Sequence, residues 1–436
     1  MSEFKSLGLL ELDADSDDDM FDVVLGGNGS VYCTNRTSNK MKHKVLQIDV
    51  RAAQPLRKMG SKMRMGYSDP AVGENGAIYA LPMDPGKRVL EIHPNSGNVV
   101  EVGPVLHDCF TTSCLVNGKL FCLPLNGPSI LVIQAGEVRV LENVLDGSPC
   151  EYNGIVSVGK EVIGVPDDGP RILKIDADSE EVSYVGPEML GSSKYQEAIV
   201  ANDKVYGIPY NAERVLEYDP ATSKTRFLGP SLGQKVEKYM KAVRVGEKII
   251  AAPVNADRVL EIDARTGGVR LIGPMIHPTR EDAESHMTND SDIHHLFYDA
   301  VEVSGKVYAA PWEATRILEI DPSTATVRFI GPDFSRRRFN QMVKVDSDIV
   351  MLDQATPTRR HSNPRPEQTG LDKGSGKGPQ WQGRGSGKGP PPREGGGEAL
   401  LWHPPAASPV TPLVEHMTKR ALAPTCAPCH DHAPQS

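Results

Sequence analysis

Apolar residues in this chain come in blocks of four or five, or in alternation, and Gly, Pro, Asn and Asp interrupt them at short intervals. The stretch Val205 to Pro230, VYGIPYNAERVLEYDPATSKTRFLGP, shows the pattern at its clearest. It predicts four short strands: Glu197 to Ala201, Val205 to Tyr210, Arg214 to Asp219 and Thr225 to Leu228. Asn202-Asp203, Asn211-Ala212 and Pro220 to Ser223 supply the turns. A helix would place apolar residues three and four apart, and that spacing is missing.

The unit repeats. Pro82, Pro124, Pro166, Pro209, Pro253 and Pro311 each follow a β-rich run, at steps of 42, 42, 43, 44 and 58 residues. Val31 to Asn35 gives an earlier copy without the proline, and Ile349 to Leu352 a late, incomplete one. Gly-Pro pairs close most units, at Gly103, Gly186, Gly229, Gly273 and Gly331. A period in the low forties with several strands per unit predicts an all-β propeller of four-stranded blades. The chain divides into an acidic leader (1–20), the propeller (21–353) and a Pro/Gly-rich tail (354–436). Because the hairpin Gln341 to Leu352 offers an interlocking closure, a seven-bladed ring is expected, with eight blades as the alternative.

The units resemble the YVTN, NHL and gluconolactonase-like propellers, and Val31-Tyr-Cys-Thr-Asn35 followed by Val45-Leu-Gln-Ile-Asp49 is similar to a YVTN-type blade. The resemblance covers roughly 21–353. It implies a fold and transfers no catalytic residue.

Polar positions fall into two groups. Arginine opens the third strand at Arg88, Arg171, Arg214, Arg258 and Arg316. Glutamate follows three residues later at Glu91, Glu217, Glu261 and Glu319, and aspartate ends the strand at Asp176, Asp219, Asp263 and Asp321. Residues repeated from blade to blade are expected to form ion pairs and turn caps, and substitution of Arg258 is expected to lower the melting temperature. Positions that vary where the inner strand begins are the candidate site. An aromatic column (Phe110, Tyr152, Tyr195, Tyr239, Phe297, Phe339) is expected in the core, and only one of the two columns after it can face the channel of a regular strand. Asp69, Asn153, Glu197, Lys241 and Asp299 are the candidate binding residues. Asp69, Asn153, Glu197 and Asp299 carry the chemistry of a calcium or other divalent-metal site, as in a gluconolactonase-like enzyme, although Lys241 would set a cation beside the metal.

Composition narrows the partners. A net charge of −9 argues against a general polyanion binder, and the acidic Asp13 to Asp19 run is unlike a signal peptide. That run matches half a calcium loop, with Asp18 and Val24 where glycine and a bidentate glutamate are needed. No apolar run is long enough to cross a bilayer, so a soluble, cytoplasmic monomer is expected. Seven irregularly spaced cysteines predict reduced thiols. The 58-residue step reflects an insertion, 275–296, whose His277, His286, His294 and His295 match no strong metal spacing. It is the natural place for a protein partner. In the tail, Lys373 to Pro379 and Arg384 to Pro390 are near-duplicates that lack the glycine pattern of a phosphate loop. With Trp381 among basic residues, the tail allows only weak nucleic-acid contact. Cys426-Ala-Pro-Cys429-His430 has c-type haem spacing without a haem domain around it. The leading expectation is a noncatalytic scaffold that binds a protein or small ligand. The alternative is a divalent-metal-dependent lactonase or related hydrolase at the channel mouth.

Overall fold

The computed structural model describes residues 4–9, 21–36, 42–64, 66–145, 152–276, 295–334, 338–354 and 398–404. Their strands form eight four-stranded antiparallel sheets. The unit read from the sequence is blade five: Tyr195–Ala201, Lys204–Pro209, Val215–Asp219 and Lys224–Leu228. The eight innermost strands are Phe21–Leu25, Tyr67–Val72, Cys109–Val116, Gly154–Val158, Tyr195–Ala201, Ala242–Val245, Phe297–Val303 and Arg338–Val345. Each packs beside the next and the last beside the first, so the ring is an eight-bladed propeller.

The expected count of seven is therefore corrected to eight. The late hairpin, Arg338–Val345 with Asp348–Gln354, does not complete blade one. It starts a blade of its own, to which Glu398–Trp402 adds a third strand and Phe4–Leu9 a fourth. Segments read from composition as leader and tail thus each contribute a strand to the propeller. Trp402 is fully buried, stacks on Phe4 at 5.7 Å and meets Tyr308 of blade seven edge-on at 5.0 Å. Burying the apolar faces of these two strands supplies the free energy that ordering them requires.

Eight core clusters lie one at each interface between neighbouring blades. The aromatic column is buried in them as expected, with Phe21 and Tyr67 completing it in blades one and two. Opposite it runs the proline column: Tyr67 faces Pro82, Phe110 Pro124, Tyr195 Pro209 and Phe297 Pro311. The aromatic thus sits opposite a residue that has no N–H to donate to the ladder. The closing Gly-Pro pairs also have a steric cause. Gly229 and Gly273 have φ near +75°, and a Cβ there would come within 2.5 Å of Val269 and Val327 in the following blade. Among the described residues no helix is long and apolar enough to cross a membrane. Cys33 and Cys122 are buried, Cys109 and Cys114 partly so, and all four are free thiols. Burial pushes the Cys33 thiol up to about 12.

Candidate functional site at the channel mouth

The recurring acids are consumed by their own blades. Glu217, Glu261 and Glu319 are buried on the third strands and face Arg226, Arg270 and Arg328 directly across on the fourth. The arginine Nε donates to each at 2.8, 2.7 and 2.7 Å, and Lys204, Lys248 and Lys306 approach from the second strand at 3.3, 3.4 and 3.3 Å. Blade four reverses the charges, with Lys174 on the third strand paired to Glu161 on the second. The opening arginines do not take part in these pairs. Arg171, Arg214 and Arg258 instead offer backbone carbonyls to the hydroxyls of Tyr152, Tyr195 and Tyr239 at 2.8, 3.2 and 2.9 Å. Arg316 shows no ion pair among the described residues, and the exposed Arg88 donates to the Gly103 carbonyl. The strand-ending aspartates cap turns: Asp176, Asp219, Asp263 and Asp321 accept backbone N–H groups two or three residues on. The Thr266 backbone N–H, first among several donors, holds Asp263 below the usual carboxylate range.

The mouth residues follow a different logic, because the innermost strands are not regular. The register shifts after Ser68, Phe110, Tyr195, Phe297 and Phe339, immediately beyond or one residue past the aromatic. A bulge there turns side chains from both following columns toward the axis. Asp69 carries the strain, with φ +44°, and its N–H donates to Asp22 at 3.0 Å. The expectation that one column alone faces the channel is corrected accordingly.

Four of the five sequence candidates meet around one cation. Lys241 Nζ lies 2.7 Å from Glu197, and its charge also acts on Asp69 and Asp299 across the channel. Its side chain is half-exposed, in keeping with an ammonium in a water-accessible bore. The Glu197 charge, stronger than the opposing effect of burial, raises the Lys241 pKa. Asp299 accepts the Met342 N–H at 2.7 Å and the Ala300 N–H at 2.9 Å; Asp69 accepts the Ser113 hydroxyl. Burial pushes both carboxyls up to about 6, against those hydrogen bonds and Lys241. The sequence reading missed Asp22, which burial also raises, with Arg36 at 3.5 Å and Gln341 at 3.4 Å beside it. Asp22 lies on a regular strand directly after Phe21, and the first unit lacks the proline on which the repeats align, so its place in the column went unread.

Asn153 does not join them. Its amide donates to Asp167 at 2.6 Å and to Gln196 at 3.2 Å, and Gln196 donates to the same Asp167 oxygen at 3.1 Å. The proposed set of Asp69, Asn153, Glu197 and Asp299 therefore does not converge on a metal. Among the described residues no three His, Cys, Asp or Glu side chains stand close enough to share one.

A second arrangement lies on the same face. Backbone hydrogen bonds step from blade to blade: Lys194 N–H to Asp167 O, Tyr210 to Lys194, Lys238 to Tyr210, Val254 to Lys238, Leu296 to Val254 and Trp312 to Leu296, at 2.8 to 3.0 Å in each case. Along this arc His295 lies 2.5 Å from Glu237 through Nε2 and 2.9 Å from the Tyr298 hydroxyl through Nδ1. Tyr298 packs on Trp312 at 4.5 Å, and the Arg338 guanidinium sits 5.5 Å from the Trp312 ring centre. Burial, then the charges of Glu237 and Glu313, push the Tyr298 phenol up to about 12. Burial likewise raises Asp167 to about 7 and lowers Lys238 to about 8, its ammonium donating only to the carbonyls of Lys235 and Asn211. The insertion joins this arc between Ile276 and His295; His277, His286 and His294 lie outside the described residues, as do Asp13 to Asp19, the tail duplicates and the CxxCH motif.

No family model matches the chain, and no curated protein matches it. Solved structures do. The computationally designed Ika8 protein aligns with 79% of this chain and 96% of its own at 11% identity and a TM-score of 0.56. A streptogramin B lyase covers 80% and 94% at 10% identity and 0.50. Virginiamycin B lyase from Staphylococcus aureus covers 71% and 96% at 12% identity and 0.48. At such identities the likeness is one of fold. The chain is a β-propeller whose relatives in shape include a designed protein and lyases.

Proposed function

We propose that this chain is a noncatalytic propeller that binds a protein partner across the mouth-side face, with kinship to the YVTN, NHL and gluconolactonase-like group as a further part of the reading. One observation carries it. The acids that recur from blade to blade are spent within their blades, whereas the Glu237–His295 and Tyr298–Trp312 pairs on the mouth arc do not recur, and they stand beside the 277–294 insertion. Leu190, Val236 and Met275, all well exposed, stand on three successive links between blades on that face and offer apolar contact. A phenol at about 12 is a poor base or nucleophile at neutral pH, which favours binding over acid–base chemistry at Tyr298.

The divalent-metal hydrolase is the lesser reading. The closeness of Asp22 and Asp69 favours it, but the Lys241 ammonium on Glu197 and the diversion of Asn153 leave a donor set that does not fit a cation. Titration calorimetry of the full chain with calcium, zinc and magnesium decides between them, and stoichiometric tight binding would reverse the order. The test of the leading reading is partner retention on the immobilised full chain. Removing Thr279 to Asp292, or substituting Met275→Asp with Leu190→Asp, is expected to lower retention at least about tenfold with melting unchanged. Lys224→Glu on the opposite face should leave it intact. Equal retention by all variants sinks the proposal.

A further inference from the structure

The mouth arc carries more than a generic contact surface. Glu237, with its side chain about a quarter exposed, stands beside His295, and the two are walled by Tyr210 and Tyr298. Both carboxylates act on the Tyr210 phenol, Glu237 more strongly than Asp167. Asp167 is 3% exposed; its Oδ2 takes both amide donors, and its Oδ1 is buried with no hydrogen-bond partner. An orphaned carboxylate oxygen of that kind is costly unless something donates to it. The nearby ammonium groups do not, since Lys194 and Lys238 are spent on the carbonyls of Gly191, Lys235 and Asn211. At the other end of the arc the chain places a guanidinium of its own, Arg338, over Trp312.

Resting on the reading of the mouth as the binding face, we propose that this acidic, aromatic arc receives a cationic side chain, an arginine guanidinium presented by the partner. Carboxylates supply charge-assisted hydrogen bonds, and the faces of Tyr210 and Tyr298 supply cation–π attraction. Arg338 on Trp312 shows that the arc's ring faces hold that group. The exposed apolar side chains on the blade links then take the residues flanking the arginine.

The test is calorimetric titration of the full chain with N-acetyl-arginine amide and with N-acetyl-citrulline amide, which differ in charge and hardly in shape. Saturable binding of the arginine amide is expected, with the citrulline amide at least about tenfold weaker. Glu237→Gln and Tyr298→Leu should each weaken the arginine amide about tenfold, and Tyr298→Phe, which keeps the ring, much less. Melting of each variant is measured alongside to separate binding from folding; Tyr298→Phe against Tyr298→Leu decides the matter independently. Equal binding of the two amides, no saturable heat with either, or an unchanged Glu237→Gln overturns the proposal. None of these touches the partner-retention test, so the mouth reading stands or falls on its own.

Discussion

Blade interior and channel mouth use the same residue types for opposite ends. In the interior, a buried glutamate is met by an arginine and a lysine from the flanking strands, and the arrangement recurs in blades five, six and seven. Blade four keeps the pair and exchanges the signs, as Lys174 and Glu161. A swap of that sort preserves electrostatic pairing and abandons residue identity, which marks the pair as structural. At the mouth, Lys241 serves three carboxylates drawn from different blades, and no other blade repeats it. Recurrence in a tandem protein thus separates groups that hold the repeat together from groups free to recognise something.

The sharpest way to break this comparison is Glu217→Ala. It removes the buried acceptor shared by Arg226, Lys204 and the Tyr206 hydroxyl, which keeps only the Ala264 carbonyl, and a loss of about 1–3 kcal/mol is expected in denaturant melts. Glu217→Ala combined with Arg226→Ala should cost less than the sum of the two. Next comes Lys241→Met, which removes the cation that opposes burial at Asp69 and Asp299. Their carboxyls, at about 6 in the folded chain, should rise by about one unit, as read by NMR titration. The sign follows from linkage. Raised carboxyl values mean that the folded chain holds protons the unfolded chain has released, so stability falls as pH rises from about 4 through about 6. Lys241→Met extends that fall to higher pH, and an unaltered profile would detach Lys241 from the two acids. Smallest of the three is Arg258→Ala. The sequence pointed to a stabilising ion pair here, but Tyr239 bonds the Arg258 carbonyl and not its guanidinium, so a change within about 0.5 kcal/mol is expected.

The fold was legible where physics imposes a period. Strand boundaries in blade five, the proline and aromatic columns and the turn-capping aspartates all repeat, and a repeat survives substitution. What escaped were features that occur once or lack a pattern. Glu398–Trp402 is five residues in a Pro/Gly-rich tail, and Phe4–Leu9 adjoins an acidic run, so composition argued against both. Neither strand has a neighbour in sequence to pair with; they pair with each other. In the site, Asp69, Glu197, Lys241 and Asp299 were found because they vary at a position that otherwise repeats. Asn153 precedes the first residue of its strand, and its amide is held by Asp167 and Gln196, partners that column counting does not reveal. Tyr298 and Trp312 meet within the hairpin of blade seven, but Glu237 comes to them from the link before blade six, a proximity that packing of neighbouring blades creates.

Blade eight makes the two ends of the polypeptide depend on each other. Phe4 lies opposite Trp402, so this seam forms only after residue 402 has left the ribosome. Until then blades one and seven each expose an apolar flank that blade eight will cover. A chain cut once between Gln354 and Glu398 is expected to remain one particle by size exclusion, because Glu398–Trp402 pairs with both Asp348–Gln354 and Phe4–Leu9. The propeller can therefore be handled as a two-piece assembly, with its short C-terminal piece added back in trans to lock or release the ring.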